Sequence, residues 1–301
     1  MSGAVAIASE AEKREAEATS RCDEASGTGF IYSGWCQAAL PHRRPIDDAA
    51  GWRVETDSMT LLVEPGMRLE ARGGARHVGV PFGAVARLIL IYLQTEALRT
   101  GSRDIELGGS LRAFLGRLGM SVGGRTSLLV REQAERISRC RLSFHSVRNG
   151  RAGMFINQNI VEVAMLSDGI DDAGQCSMFV EVARLGEGFF AQLSAHAVPL
   201  DEAAIRSIRG SSMALDVYCW LAYRLHSLSA PKTVGWTALA SQFGTGIKLR
   251  KHFTSSMREA LTLASAAYPA ARVDISPMGL TLHPSPPPVA RLARRTTGIS
   301  A

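Results

Sequence analysis

One arrangement of local signals occurs twice in this chain of 301 residues. A helix-period apolar stripe closes on Gly and a short turn follows. Then come a second amphipathic segment studded with Arg or Lys and two alternating, strand-like runs. The first copy runs from about Ser110 to Val163 and the second from about Val234 to Pro284. Leu111, Phe114 and Leu118 before Gly119 have the spacing of Trp236, Leu239 and Phe243 before Gly244, an offset of 125 residues (236 against 111). A repeat on this scale limits the chain to folds built from one small unit used twice.

Within the first copy, Ser110 is a candidate N-cap for a helix from Leu111 to Leu118, and Leu115 joins its stripe. The next helix, about Arg125 to Cys140, would bury Leu129, Val130, Ala134, Ile137 and Cys140, leaving Arg125, Arg131, Arg136 and Arg139 opposite. Arg141 to Arg148 and Met154 to Val163 alternate around Asn149-Gly150, the pair that supplies the positive φ angles of a type I′ hairpin turn. In the second copy, Lys248 to Tyr268 would bury Leu249, Phe253, Met257, Leu261, Ala264 and Tyr268, with Lys251, Thr254, Ser255 and Arg258 on the other face. Arg272 to Ser276 and Leu280 to His283 flank a Pro277-Met278-Gly279 turn. This order is that of a winged helix-turn-helix. The fold expected is therefore α+β and helix-rich, with two tandem winged helix-turn-helix domains, a flexible N-terminus and a short basic tail. The corresponding divisions are 1–50, 51–195, 196–285 and 286–301, with the Asn149-Gly150 hairpin as the first wing.

Charge follows the repeats. Basic against acidic residues number 10 to 13 over residues 1–98, 11 to 4 over 99–151, 1 to 8 over 152–205 and 12 to 3 over 206–301. The two basic blocks coincide with the two copies, the footprint of a polyanion binder. Of the 34 cations only Lys13, Lys232, Lys248 and Lys251 are Lys. Arg forks onto phosphate or guanine, although a GC-rich coding sequence would also raise Arg. A solvated amphipathic helix explains either basic segment singly. The matched stripes, hairpins and charge blocks together favour recognition helices.

Ahead of the first copy, residues 1–30 lack an apolar stripe, with a short charged helix conceivable at Ser9 to Ala18. WRVET and MTLLVEP, between Trp52 and Leu69, read as strands, and Phe82 to Arg99 as a largely buried helix before a short strand at Asp104 to Leu107. After the acidic stretch Asp168 to Gly174, a strand is expected from Ser177 to Ala183 and helix from Asp201 to Leu228, interrupted near Gly210.

Several chemistries lack their residues. No apolar run approaches the ~20 residues that would cross a bilayer, and the first residues have acids and Ser where a secretory signal needs a basic and then an apolar stretch. A cytoplasmic protein without membrane association is expected. Cys22, Cys36, Cys140, Cys176 and Cys219 are too widely spaced for a CxxC zinc site or a disulfide frame; Cys140 and Cys219 fall on apolar helix sides, where they act as small hydrophobes. The seven His show no HxH or HExxH spacing, which argues against a metal-dependent nicking enzyme. Gly244-Thr245-Gly246-Ile247-Lys248 lacks the gap and the Lys-Ser/Thr pair of a phosphate-binding loop and reads as a turn between helices. No catalytic residue and no cofactor is expected.

Gly79 to Gly119, followed by Arg131 to Ile137, resembles the plasmid-encoded RepA replication initiator family. The resemblance rests on Pro81, Phe82 and Gly83; on Arg87 and Leu88; on Thr95, Glu96, Ala97, Arg99, Thr100, Ser102 and Arg103; on Leu107, Gly108, Ser110 and Leu111; and on Arg131, Gln133 and Arg136. Leu215 to Leu228, Thr237 to Gly244 and Met257 to Leu261 resemble it too, so that the likeness spans roughly residues 50–285. The chain departs from the family at Ala86, where Pro is common, and at Leu128 and Leu129, where more polar residues usually open the helix.

The resemblance implies initiation of plasmid replication by binding repeated double-stranded sites, or iterons, at an origin. It implies two winged helices of which the second reads the major groove, a homodimer that represses its own gene, and a host replicative helicase or initiator as partner. On this basis Lys251, Thr254, Ser255 and Arg258 are expected at or near base edges and Lys248 and Arg250 on phosphates. In the first domain Arg125, Thr126 and Arg131 are expected near bases, with Arg136, Arg139, Arg148 and Arg151 on the backbone. The competing readings are a winged-helix transcriptional regulator without origin function, a relaxase, and a structural adaptor that binds protein.

Overall fold

The structure, a computed structural model, describes residues 27–289 apart from 71–72, 108, 122, 149–150 and 171–175. The expected charged helix at 9–18, the Asn149-Gly150 turn, Asp171-Asp172 and the tail from Arg291 lie outside the described residues.

Helix α1 (Gly83–Thr100) is the centre of the first half. Its consecutive residues Leu88 to Leu93 are all buried, the pattern of a helix covered on every side rather than on one stripe. It ends on Gly101 at φ 66°, the left-handed conformation that glycine adopts without penalty. The end of the helix and the segment after it are fastened by residues that carry the family resemblance. The Thr95 hydroxyl accepts from the Phe30 amide (2.8 Å), the Ser102 hydroxyl accepts from the Asp104 amide (3.0 Å), and Arg103 donates to Glu162 (3.2 Å).

The chain continues through β6 (Asp104–Glu106), α2 (Gly109–Arg117) and α3 (Arg125–Arg139). Helix α2 starts at Gly109, so Ser110 lies inside it rather than ahead of it as an N-cap. The next hairpin, β7 (Arg141–Arg148) with β8 (Arg151–Asn159), pairs as expected, with the expected bounds in its first strand and a second strand that lies earlier than 154–163. It was expected to be the first wing. Instead β7 runs antiparallel to β3 (Met59–Glu64), which pairs in turn with β2 (Trp52–Glu55), in a sheet of order β2-β3-β7-β8. Leu142 and Phe144 stand opposite Val63 and Leu61, all four buried, so the alternation that marked β7 as a strand is answered by β3. The strand that reaches β6 is β10 (Cys176–Leu185), paired on its other edge with β9 (Val161–Ile170), in the order β6-β10-β9.

The second half repeats that order in shorter form. Helix α6 (Ser212–Arg224) leads to β12 (Lys232–Gly235), α7 (Trp236–Phe243), α8 (Arg250–Ala267) and the hairpin β13 (Val273–Ser276) with β14 (Gly279–Leu282). Its sheet order, β12-β14-β13, has the same first-third-second arrangement. A Cβ at Gly279 would collide with the Val234 carbonyl, so the turn into β14 has room for glycine alone.

The remaining elements tie the halves together. Strand β1 (Thr28–Tyr32) pairs with β11 (Ala197–Asp201), Thr28 opposite Asp201. Helix α4 (Glu187–Ala195) precedes β11, and α5 (Glu202–Ile208) follows it, capped by Asp201, whose carboxylate accepts from the Ala203 amide. A small β4 (Met67–Leu69) and β5 (Ala75–His77) pair stands apart. Residues 27–50 correct the expectation of a flexible segment over 1–50: β1 is followed by a run without helix or strand in which Trp35, Cys36, Ala38, Ala39 and Leu40 are buried. The buried side chains form one continuous cluster through both halves, with Cys140 and Cys219 in it. Among the described residues no helix is long and apolar enough to cross a membrane.

Candidate nucleic-acid interface

Helix α8 is positioned by its inner face. Phe253, Met257, Ala260, Leu261 and Ala264 are buried at helical spacing, and Phe253 closes on Gly244 at the end of α7. That leaves Lys251, Ser255, Arg258 and Thr262 exposed along one outer stripe, with Lys248 and Arg250 exposed at its start. Thr254 is half-buried, its hydroxyl donating to the Arg250 carbonyl (3.0 Å). Leu249, expected inside, is 51 % exposed because it stands ahead of the helix as its N-cap. The Arg258 guanidinium lies over the Trp236 ring, 5.8 Å from its centre, which braces it from α7 while leaving it in solvent.

The electrostatics of this stripe differ from those of an ordinary surface helix. Three cations, Lys248, Arg250 and Lys251, gather at the helix N-terminus, where no side chain caps the free amides and the first turn has no acid. Cations at the positive end of a helix dipole oppose its stability by about 0.3–1 kcal/mol each, and the same place favours an anion. Among the described residues none of Lys248, Arg250, Lys251 and Arg258 is ion-paired. A phosphate backbone would neutralise all four without first displacing a carboxylate.

The corresponding helix of the first half, α3, has used its charge internally. Arg136 is 2 % exposed and its guanidinium donates to the Val80 carbonyl (3.1 Å), to Asp48 (3.1 Å) and to Glu132 (2.9 Å) while lying over the Phe82 ring. Gly79, at φ 79°, makes space for it, since a Cβ there would overlap the guanidinium. This corrects the expectation of a phosphate contact at Arg136. Arg139 donates to the Met67 carbonyl (3.0 Å) and pairs with Glu135 (3.3 Å). Arg131 is half-buried, Thr126 half-buried and Arg125 exposed. Leu128, 64 % exposed, and Leu129, expected in the core, stand at the outer start of α3. Arg148 and Arg151 are register partners at the end of β7 and β8. The structure thus gathers Lys248, Arg250, Lys251, Ser255 and Arg258 on the outer side of α8, and in α3 leaves Arg125 exposed while burying Arg136.

Two of the residues that carry the family resemblance on α3 have a bonding role visible here. Gln133 is buried and its side-chain oxygen accepts from the Phe82 amide (2.9 Å), while Arg136 covers the Phe82 ring. They hold the Pro81-Phe82-Gly83 start of α1 against α3. The fold of the second hairpin adds an exposed turn at Met278, 77 % exposed, that periodicity alone did not mark as a surface feature.

Comparison with known proteins gives a family and a similar fold. The model of a family described as plasmid-encoded RepA protein matches residues 80–238. No curated protein matches the chain. The crystal structure of a selenomethionine derivative of domains 2 and 3 of RctB is similar in fold, with a TM-score of 0.50 at 12 % identity over 81 % of this chain and 88 % of that one. A second crystal structure of RctB domains 2–3 gives a TM-score of 0.45 at 10 % identity over 82 % of this chain and 93 % of that one.

Proposed function

The chain belongs to the plasmid-encoded RepA family, and from that premise we propose that it is a non-enzymatic initiator of plasmid replication that binds repeated double-stranded sites at an origin. The observation that carries this reading is the outer stripe of α8, four exposed cations with no acid among the described residues paired to them. In this reading each half is a winged helix. The wings are β9–β10 and β13–β14, α8 enters the major groove, and Lys251, Thr254, Ser255 and Arg258 face base edges while Lys248 and Arg250 contact phosphates. Arg125, Thr126 and Arg131 on α3 add a second, weaker contact near bases, with Arg148 and Arg151 on the DNA backbone. A homodimer, repression of its own gene, recruitment of a host helicase or initiator, and a cytoplasmic location belong to the same proposal.

Protection mapping of the purified protein on DNA flanking its own gene tests it. Protection of several direct repeats is the expected result. A lone inverted site would point instead to a transcriptional regulator without origin function, and metal-dependent cleavage of an origin oligonucleotide would overturn the non-enzymatic assignment.

A further inference from the structure

Residues 33–51 form neither helix nor strand, yet together with Trp52 at the start of β2 they are bonded to both halves of the molecule. On the first half, the Trp35 ring packs edge-on against Phe144 of β7 (5.0 Å between centres), and the Pro41 carbonyl accepts from the Gly83 amide at the start of α1 (2.9 Å). On the second half, the segment grips the end of α7. Gln242 donates to the Cys36 carbonyl (3.0 Å), and His42 Nε2 lies 2.9 Å from the Phe243 carbonyl while its Nδ1 lies 3.1 Å from the Ser212 hydroxyl at the start of α6. Phe243 is the last residue before the turn into α8. The indole of Trp52 donates to the Ala39 carbonyl (2.9 Å) and lies against Gly246 inside that same turn.

This segment is therefore a brace between the first half and the turn that aims the cationic helix. An unstructured connection between two DNA-binding units would let each find its site independently, with an effective concentration set by linker length. A rigid one fixes the distance and rotational phase of the two contacts, so that half-site separation becomes part of what the protein recognises. We propose that the 33–52 segment is a spacing ruler, with His42 and Gln242 as positioning residues that fix α8 relative to α3 and so set the half-site separation the protein accepts. The inference rests on the two-site reading above and deepens it; neither residue lies on the outer stripe of α8.

The test uses the full chain. Duplexes selected by the protein from a randomised pool supply a two-part site, and its spacer is then varied in single base pairs across one helical turn. The wild-type protein is expected to prefer one spacing over its half-turn neighbour, about 5 bp away, by roughly tenfold or more. In H42A/Q242A that preference should fall at least threefold, while affinity for a duplex carrying one half-site stays within twofold. His42→Gln, which can still donate to the Phe243 carbonyl, should restore it. Should the double variant lose cooperative unfolding, Gln242→Ala alone removes one bond from the brace and should give a smaller loss in the same direction. A preference unchanged in variants that fold and bind one half-site overturns the ruler. A wild-type protein indifferent to spacing also overturns it but leaves the initiator reading standing, whereas failure to retain any duplex at low salt removes both.

Discussion

The Arg87 guanidinium forks onto the carboxylate of Asp216, 129 residues along the chain, Nε donating to one oxygen at 2.7 Å and Nη2 to the other at 2.6 Å. Both side chains are buried, and the remaining donors of Arg87 satisfy the carbonyls of Leu40, Pro41 and Gly83. A buried pair is tolerable only when its polar atoms are bonded in this way. Here the pair joins α1 to α6, and residues 40–41 bond to the same guanidinium. Its stabilising role is thus inseparable from how the two halves are held.

The outer stripe of α8 makes the most direct prediction. Lys248→Ala and Arg250→Ala should each lower the slope of log affinity against log salt by about 0.9, similarly on selected and random duplexes. Arg258→Ala should cost roughly 1–3 kcal/mol on the selected site and less on random DNA. Filter binding across a salt series separates the two behaviours, and equal losses on both duplexes would reject base reading by Arg258.

Arg136→Ala should act on stability rather than on DNA. Removing the guanidinium leaves the Val80 carbonyl without its donor and leaves Asp48 and Glu132 only the exposed Arg44 as a cation, at a cost on the order of 3 kcal/mol. Urea denaturation should show the loss, and the salt slope of the remaining folded protein should not move. Lys at this position cannot serve all three acceptors and should rescue little.

The two basic helices show how far the amino-acid order could be followed. Helices α3 and α8 and the strand runs of β2, β3, β10, β13 and β14 were legible from periodicity, because each presents its apolar residues at one spacing, and α1 from its length and unbroken apolar run. Periodicity also put Arg136 on a polar face, and could not say that Asp48, 88 residues earlier in sequence, would be folded against that face. The β7–β8 hairpin formed, but its place in the fold was hidden for a related reason: alternation identifies a strand, whereas β3, which comes before three helices, decides which sheet it joins. Strand β1 and the 33–41 run were missed because short buried segments without a stripe carry little local signal.

His42 gives a pH prediction. Burial and the nearby Arg87 guanidinium lower its pKa from 6.5, against a smaller opposing influence of Asp216 and its bond to the Phe243 carbonyl. A group whose folded pKa lies below its unfolded value takes up a proton on unfolding. The stabilisation it represents is therefore complete above pH 6.5 and is lost as pH falls from there towards the folded pKa. The Tm of the wild-type protein should decline from pH 7 to pH 5 more steeply than that of His42→Gln, which keeps a donor but cannot titrate. Parallel profiles would remove His42 from this role.

The thiols of the core should be inert. Burial raises Cys36 well above its usual range, Cys140 to about 12, and Cys219 upwards as well. The thiolate is the reactive form. Alkylation at pH 8 followed by site-resolved mass spectrometry should find these three unmodified in native protein and rapidly modified in urea. Native-state labelling at the rate of a free thiol would contradict their burial.

The pairing of Thr28 with Asp201 has a consequence for biosynthesis. A nascent chain emerging from the ribosome carries β1 without its partner until about residue 200 has been made, and the Asp216 that neutralises Arg87 comes later still. Contacts of such long sequence separation form late and slowly. The first half must therefore wait, incompletely sealed, for the second, and the level of active protein in the cell should be sensitive to translation rate and chaperone supply.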